Sequence, residues 1–390
     1  MRFFSFLVCC SMIFGFCFSA GAETGVSEDE ILLGQVCAMS GPSEALGKNM
    51  KIGLQTYFNY INDQGGVNGR KIRLISYDDG YEPLVCIDQT KQLIDEGVFA
   101  LLGYVGTPTA KAAVPIAETA GVPFIGPFTG AEFLRNPVKH YVINCRASYF
   151  DETEAIIKHL AEDQGVTRIA CFYQNDSYGQ AGLEGVNRAL KKREMALVAE
   201  GTYERNTLAV KGALARIRSA DPEAVVMIGA YAPCSEFIKL AKKIGMGEVK
   251  FWNISFVGTK ALQKDLAEAG EGVIISQVWC VGYTKPDLRA EYERLLKEYF
   301  PEEEVGFVSY EGFGVAKFFV EALKASGSDL TREGLITTIE NHGEFDLGGI
   351  FFNYSPADHG GTQQVWSAIL TKDGIAPYKY LTEDDSMNKN

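Results

Sequence analysis

Ten short apolar runs, falling into two sets of five with one rhythm, constrain this chain more than any other feature. The first set begins near residues 31 (ILLGQVC), 71 (KIRLISYDD), 99 (FALLGYV), 123 (PFIGPF) and 141 (YVINCRA). The second begins near 167 (TRIACFYQND), 196 (ALVAEGTYE), 224 (AVVMIGAY), 250 (KFWNISFVG) and 272 (GVIISQVWCV), so each start lies 125 to 136 residues after its counterpart. Val, Ile and Phe dominate the runs, and helix-period segments at 43–64, 82–96 and 107–120 follow the first three. Alternating strand and helix patterns predict parallel sheets covered on both faces. The near-constant offset predicts two similar α/β lobes in place of one long sheet.

No Pro- or Ser-rich linker separates the halves: YVINCRASYFDETEAIIKHL runs from strand into helix without a break in composition. Lobes joined in that way hinge, and a hinge is a device for closing on something. Helical patterns follow at about 286–299, 309–326 and 331–342. FDLGGIFFNYSPADHGGTQQVWSAILTKDG then reads as two strand-like runs around a turn-rich centre. The tail is therefore expected to return to one lobe with helices and finish on the other as β structure.

The chain opens with an uncharged stretch, residues 3–20, preceded by Arg2 and long enough for a helix of roughly 27 Å. Ala20-Gly21-Ala22 supplies a small-x-small cleavage site, and Glu23, Glu28, Asp29 and Glu30 follow where an anchor prefers positive charge. Residues 1–22 therefore read as a cleaved secretory signal, leaving an exported protein without a stable membrane anchor. Cys37, Cys86, Cys145, Cys171, Cys234 and Cys280 remain, none in a CxxC pair. They read as small buried hydrophobes, with a single disulfide left open and no pairing defined. The formal charge of -13 repels phosphate backbones and excludes nucleic acid as a partner.

Catalysis has no foothold. HExxH, GxxxxGK[ST], GxSxG and an EF-hand loop are all missing, and His140, His159, His342 and His359 are scattered among different elements. The chain is expected to be no enzyme and to hold no cofactor or metal. Asp78-Asp79 is the only close acidic pair ending a strand, and a pair in such a turn caps backbone more often than it moves protons. Binding is better supported. After FALLGYV come Gly106-Thr107-Pro108-Thr109 and a helix, with Thr107 expected as N-cap and Pro108 as N1. The free amides of Thr109 and Ala110 would then favour an anion such as a carboxylate. Thr129-Gly130 ends the neighbouring strand, so the two turns form a crevice of the kind in which α/β folds bind ligands. The competing account is that both threonines only cap their own helices.

Residues 31–83 carry SGP after the first strand, then NDQGGVNGRKI, then DDGYEP. Arg146 and Asp151 follow in CRASYFDE, and QNDSYGQAGLEG and SYEGF come later. In this order and spacing the chain resembles the type I periplasmic solute-binding proteins, the Leu/Ile/Val-binding family of ABC transporters. The resemblance implies two Rossmann-like parallel-sheet lobes joined by three crossing segments. It implies an N-terminal lobe of 23–145 plus about 277–352, a C-terminal lobe of 146–276 plus about 353–385, and a disordered tail at 386–390. It also implies a periplasmic location, closure on a small ligand, and docking of the closed form on an inner-membrane ABC permease; the same fold also serves as the sensing subunit of receptors. By position, Thr107 matches the carboxylate-holding hydroxyl, Phe128 and Thr129-Gly130 match a second contact turn, and Tyr178 and Tyr231 match aromatic lid positions. Amino-acid binders place an acid in the loop after the fourth strand of the second lobe, but here Ser255 or Phe256 stands at that place in NISFVG. Asp151, Asp176 and Glu311 are the candidates to pair an ammonium in its stead. Otherwise the ligand is an apolar or aromatic carboxylate, or an amide, and the expectation stays with a branched-chain amino acid or a related small carboxylate or amide.

Overall fold

The computed structural model describes residues 23–279 and 286–381. The signal segment 1–22, Cys280 and the tail 386–390 lie outside the described residues.

Each apolar run forms a strand within three residues of its expected start. Strands β1 (Glu30–Cys37), β2 (Lys71–Asp78), β3 (Ala100–Leu102), β4 (Phe124–Ile125) and β5 (Val142–Ile143) make a parallel sheet in the order β2-β1-β3-β4-β5. Helices α1 (Glu44–Asp63), α2 (Pro83–Asp95) and α3 (Thr107–Ala120) supply the crossovers. The second half repeats the plan with α4 (Tyr149–Lys158), β6 (Ile169–Gln174), α5 (Ser177–Lys191), β7 (Ala199–Tyr203), α6 (Lys211–Ser219), β8 (Ala224–Ile228), α7 (Tyr231–Lys243), β9 (Lys250–Asn253), α8 (Thr259–Leu266) and β10 (Ile274–Gln277). Its parallel strands are ordered β7-β6-β8-β9-β10, the same order as the first set. Strands such as β6 and β8 are buried along their whole length, which is why they read as unbroken apolar runs instead of alternating ones.

The C-terminal third is divided between the two sheets. Helices α9 (Pro286–Tyr299) and α10 (Phe307–Ser326) pack on α1, and α11 (Arg332–Asn341) packs on α10. A small antiparallel sheet of β11 (Glu344–Asp346), β12 (Phe351–Ser355) and β13 (Asp358–Gly361) follows, tied to the end of β5 where the Asn144 amide donates to the His359 carbonyl at 3.1 Å. The hairpin of β14 (Trp366–Thr371) and β15 (Gly374–Tyr380) then pairs antiparallel with β10 and completes a seven-stranded sheet. The expected boundary at 352/353 falls inside β12, and the chain passes to the second sheet only after β13. The turn-rich FFNYSPADHGG forms a hairpin of its own because Asn144 and Tyr354 give it polar partners beside β5, the Tyr354 hydroxyl donating to the Asn144 carbonyl at 2.7 Å.

Two glycines set the depth at which α10 docks. A Cβ on Gly53 of α1 would lie 2.1 Å from the Ser309 carbonyl oxygen, and one on Gly312 of α10 would lie 2.4 Å from the Met50 carbonyl oxygen. Backbone fills the space that a methyl group would need, so the helices cannot keep this separation with alanine at either place. Gly53→Ala and Gly312→Ala should each destabilise the protein by about 1–3 kcal/mol in urea-monitored unfolding, through overpacking and not through lost contacts. Wild-type stability in either variant would show that the crossing opens freely.

Candidate functional site

The first-sheet half of the site is built at the carboxyl ends of β3 and β4. The ladder continues into both turns, with the Phe128 amide donating to the Tyr104 carbonyl at 2.7 Å and the Gly106 amide to the Phe128 carbonyl at 3.2 Å. Gly106 is the N-cap of α3, with φ 105°, so Thr107 is N1 and Pro108 N2, one position later in the helix than expected. The reason is the Tyr81 ring: a Cβ on residue 106 would stand 2.2 Å from it, so only glycine can make the turn there. Thr107 does not cap its helix. Its hydroxyl bonds the Thr129 hydroxyl at 2.7 Å, both fully buried. The Ala110 amide is already spent on the Gly106 carbonyl, which leaves the Thr107 and Thr129 hydroxyls and the first-turn amides of Thr107 and Thr109 as the polar groups of this wall.

Gly130 brings in a residue that the sequence did not single out. Its carbonyl accepts from the Tyr149 amide at 2.7 Å, and any side chain at 130 would collide with the Tyr149 ring. Tyr149 opens α4 behind a capping box of Ser148 and Asp151. The Tyr149 hydroxyl is wholly buried and makes no hydrogen bond. Burial raises its pKa, while Arg146 and the nearby Thr129 and Thr107 hydroxyls oppose the rise without reaching bonding geometry.

The second-sheet half supplies rings. Tyr178, held in the first turn of α5 by the Asp176 N-cap, lies 5.6 Å from Tyr149 and 4.5 Å from Phe256, centroid to centroid. Phe256 continues to Phe128 at 5.3 Å and to Tyr81 at 6.1 Å, so a chain of aromatic contacts crosses from one sheet's loops to the other's. Ser255 does not stand free in place of an acid. Its amide and hydroxyl donate to Glu152 at 2.8 and 2.9 Å, and its hydroxyl accepts from Arg146. Arg146 is fully buried, lies over the Phe128 ring at 4.7 Å and donates to Glu311 at 3.2 Å. Burial pushes the Glu311 carboxyl up to about 7 against the pull of Arg146, with Glu152 adding to the rise. Burial alone would lower the Arg146 pKa, but Glu311 and Glu152 outweigh it and the guanidinium is held charged.

Thr107, Phe128, Thr129, Gly130, Tyr178 and Ser255 thus meet at one buried centre. Tyr231 stands apart at the start of α7, where its hydroxyl accepts from the Ala45 amide of α1 at 3.4 Å. Of the three candidate acids, Asp151 caps α4 and Asp176 caps α5, and Glu311 alone reaches the centre, through Arg146. Glu152 was not anticipated, because one acid among several at a helix start carries no sign of pointing inward.

A clasp closes the rim. In the loop after β2, Tyr81 has φ 63° and Glu82 follows; in the loop after β7, Asn206 has φ 58°. Arg205 donates to Glu82 at 2.8 Å and to Asp176 at 3.1 Å, and Asn206 donates to Glu82 at 2.7 Å and to the Gly80 carbonyl at 3.1 Å. Asp78 and Asp79 shape the first of these loops by accepting backbone amides, Asp78 from Met39 and Gly80 and Asp79 from Tyr81. Among the described residues no cluster of His, Cys, Asp and Glu could hold a metal ion, and five cysteines are free and buried, with thiol pKa values raised by burial. Among them no helix is long and apolar enough to cross a membrane.

Residues 30–374 match the family model described as periplasmic binding protein. The Leu/Ile/Val-binding protein of Escherichia coli K12 is 22% identical over 254 residues, 64% of this chain and 68% of that protein. A crystal structure of a possible leucine/isoleucine/valine-binding protein from Rhodopirellula baltica superposes with a TM-score of 0.86 at 35% identity, covering 91% of this chain and 98% of that one. A solute-binding protein of an ABC transporter from R. palustris, solved in complex with benzoate, shares the fold with a TM-score of 0.80 at 20% identity, over 90% and 96% of the two chains.

Asp79 has one carboxyl oxygen buried beneath the clasp loop, and burial pushes its pKa up to about 7 from 3.8 against the pull of the Tyr81 amide and the Cys86 thiol. A folded-state pKa above the unfolded one gives stability that is complete below pH 3.8 and is lost as pH rises to about 7. Asp79→Asn keeps the acceptor for Tyr81 and removes the ionisation. The variant should therefore gain on wild type as pH rises from 4 to 8, by up to roughly 4 kcal/mol, in unfolding measured across that range. Parallel pH profiles for the two proteins would refute the assignment.

Proposed function

We propose that this chain, which belongs to the periplasmic binding protein family, is the solute-binding component of an ABC transporter and takes a branched-chain amino acid or a related small carboxylate or amide at the centre where the loops of its two sheets meet. The family and its fold are those of solute-binding proteins, which are not enzymes. In this reading the first lobe holds β1–β5, α9–α11 and the β11–β13 sheet, and the second holds α4 to β10 with the β14–β15 hairpin. The lobes swing about their crossing segments, two of which follow β5 and β13. The protein works in the periplasm behind a cleaved leader, and its closed form is what an inner-membrane permease receives.

One observation carries the proposal. A buried tyrosine hydroxyl without a partner, Tyr149, sits beside a buried Thr107–Thr129 pair and under rings contributed by the other sheet. Unpaired buried polar groups cost about 1–3 kcal/mol each, and a ligand group that satisfies this one recovers that cost on closure. The ligand then shifts an open–closed equilibrium because it touches the second lobe only when the lobes are shut.

The experiment is native mass spectrometry of the purified protein, followed by thermal-shift screening of amino acids, small carboxylates and amides. A true ligand raises the melting temperature by linkage, and a panel without a single hit would end this reading. Closure has its own signature at the rim. Arg205→Ala removes the bridges to Glu82 and Asp176 and the cation over Tyr81 but leaves the Thr107–Thr129 wall unaltered, a loss of about 1 kcal/mol for partly exposed pairs. Affinity for the best hit of the screen should fall about fivefold, and small-angle scattering should report a more extended ligand-free protein. Unchanged affinity and an unchanged radius of gyration would show that the clasp adds nothing to closure.

A further inference from the structure

The polar atoms of the buried centre divide cleanly by what they have left to offer. The acceptors are largely spent. Glu152 gives one oxygen to the Ser255 hydroxyl and the other to the Ser255 amide and the Ser276 hydroxyl, and one oxygen of Glu311 accepts from Arg146. The donors are not. The Tyr149 hydroxyl, beside the Thr107 and Thr129 hydroxyls, and the Arg146 Nε–H are buried without a hydrogen bond. In the Thr107–Thr129 pair one hydroxyl donates to the other, so the accepting member keeps a free O–H. The amides of Thr107 and Thr109 open α3, a helix of 14 residues whose dipole favours negative charge at that end.

An ammonium is a donor only: it would face the Arg146 guanidinium and the α3 amides, and beyond hydroxyl oxygens it would find only the second oxygen of Glu311, a carboxyl already engaged with Arg146. It would also lie beside Ser255, whose hydroxyl already touches the Arg146 guanidinium. A carboxylate is an acceptor only and matches the unspent donors: the Tyr149 hydroxyl, the free threonine O–H and the α3 amides. The remaining wall is apolar: Phe128, Tyr178 and Phe256 are buried in mutual ring contact, which suits a branched or aromatic body.

We propose that this centre takes a small apolar carboxylate that carries no ammonium group, with its oxygens received by the Thr107, Thr129 and Tyr149 hydroxyls and the opening amides of α3. The inference rests on the reading of the chain as a solute-binding protein that closes over this centre, and it narrows the ligand class within that reading.

The test is isothermal titration of the full mature chain, unfolded and refolded to strip any retained compound. The probes are 4-methylpentanoate against leucine, 3-phenylpropanoate against phenylalanine, and 4-methylpentanamide as the neutral partner. At least one acid should bind tenfold or more tightly than its amino-acid counterpart, and more tightly than the amide. Tyr149→Phe, which keeps the ring and its packing, should weaken that acid about tenfold or more while the melting temperature of the unliganded protein does not fall. Leucine or phenylalanine binding as tightly as its deaminated partner would overturn the inference and leave the solute-binding reading intact. So would an amide equal to its acid. Full affinity in Tyr149→Phe would overturn the role given to that hydroxyl. Binding by none of the five probes, amino acids included, would sink the inference together with the reading beneath it.

Discussion

A single buried guanidinium ties the molecule together. Arg146 leaves β5 on the first segment that passes between the sheets, reaches Ser255 in the second sheet's loop and Glu311 on α10, and lies over the Phe128 ring. Glu152 on α4 stands 3.7 Å away. Taking a charge out of water is expensive, and such a cluster adds little net stability over a well-packed apolar alternative. What it does supply is geometry. Removing one partner strands the others without solvent, so the crossing segment, both loop sets and α10 must assemble together or not at all. The Gly53–Gly312 approach, which lets α10 come down onto α1, is what brings Glu311 within range.

From that constraint the architecture runs outward. Parallel sheets bury both faces, so a strand can be a short, continuous apolar run, and each connection must cross over, by a helix everywhere in the first sheet except between β4 and β5. Two sheets with the same strand order present the same edge to each other: carboxyl-end loops, where backbone amides, helix starts and ring-bearing turns collect. The centre and the clasp both belong to those loops. Tyr81 and Asn206 sit in left-handed backbone conformations where the clasp closes, a strain that persists only because surrounding contacts hold it.

The helices and strands were legible in the sequence because each is decided locally. Period-2 and period-3.6 patterns, a Pro near a helix start and a Gly where φ must be positive are properties of neighbours along the chain. That is why α3 and α9 begin and end where the pattern says. Local logic failed by one residue at Thr107, because Gly106 answers to Tyr81, a residue brought there by a different strand. Nor do neighbours along the chain reveal the Asn144 and Tyr354 hydrogen bonds that hold β12 and β13 beside β5.

The site was legible only as a list of candidates. Threonines and glycine after strands, tyrosines at helix starts and the absence of an acid at Ser255 could all be read in one dimension, and six of the seven candidate residues meet at one centre. Tyr231 bonds the Ala45 amide of α1, while Gly229 two residues before it accepts from the Tyr178 hydroxyl. Glu152, Tyr149 and the Arg205–Glu82 bridge left no mark on the sequence. Ser255 lies 103 positions from Glu152, and Glu82 lies 123 from Arg205, and an acid or a ring at a helix start reads alike whether it faces water or a guanidinium. The sequence by itself determined the two-fold α/β plan, since periodicity and burial are written residue by residue. Which polar groups are spent and which remain for a ligand was decided only by the tertiary structure, because hydrogen bonds between distant loops are properties of the folded arrangement alone.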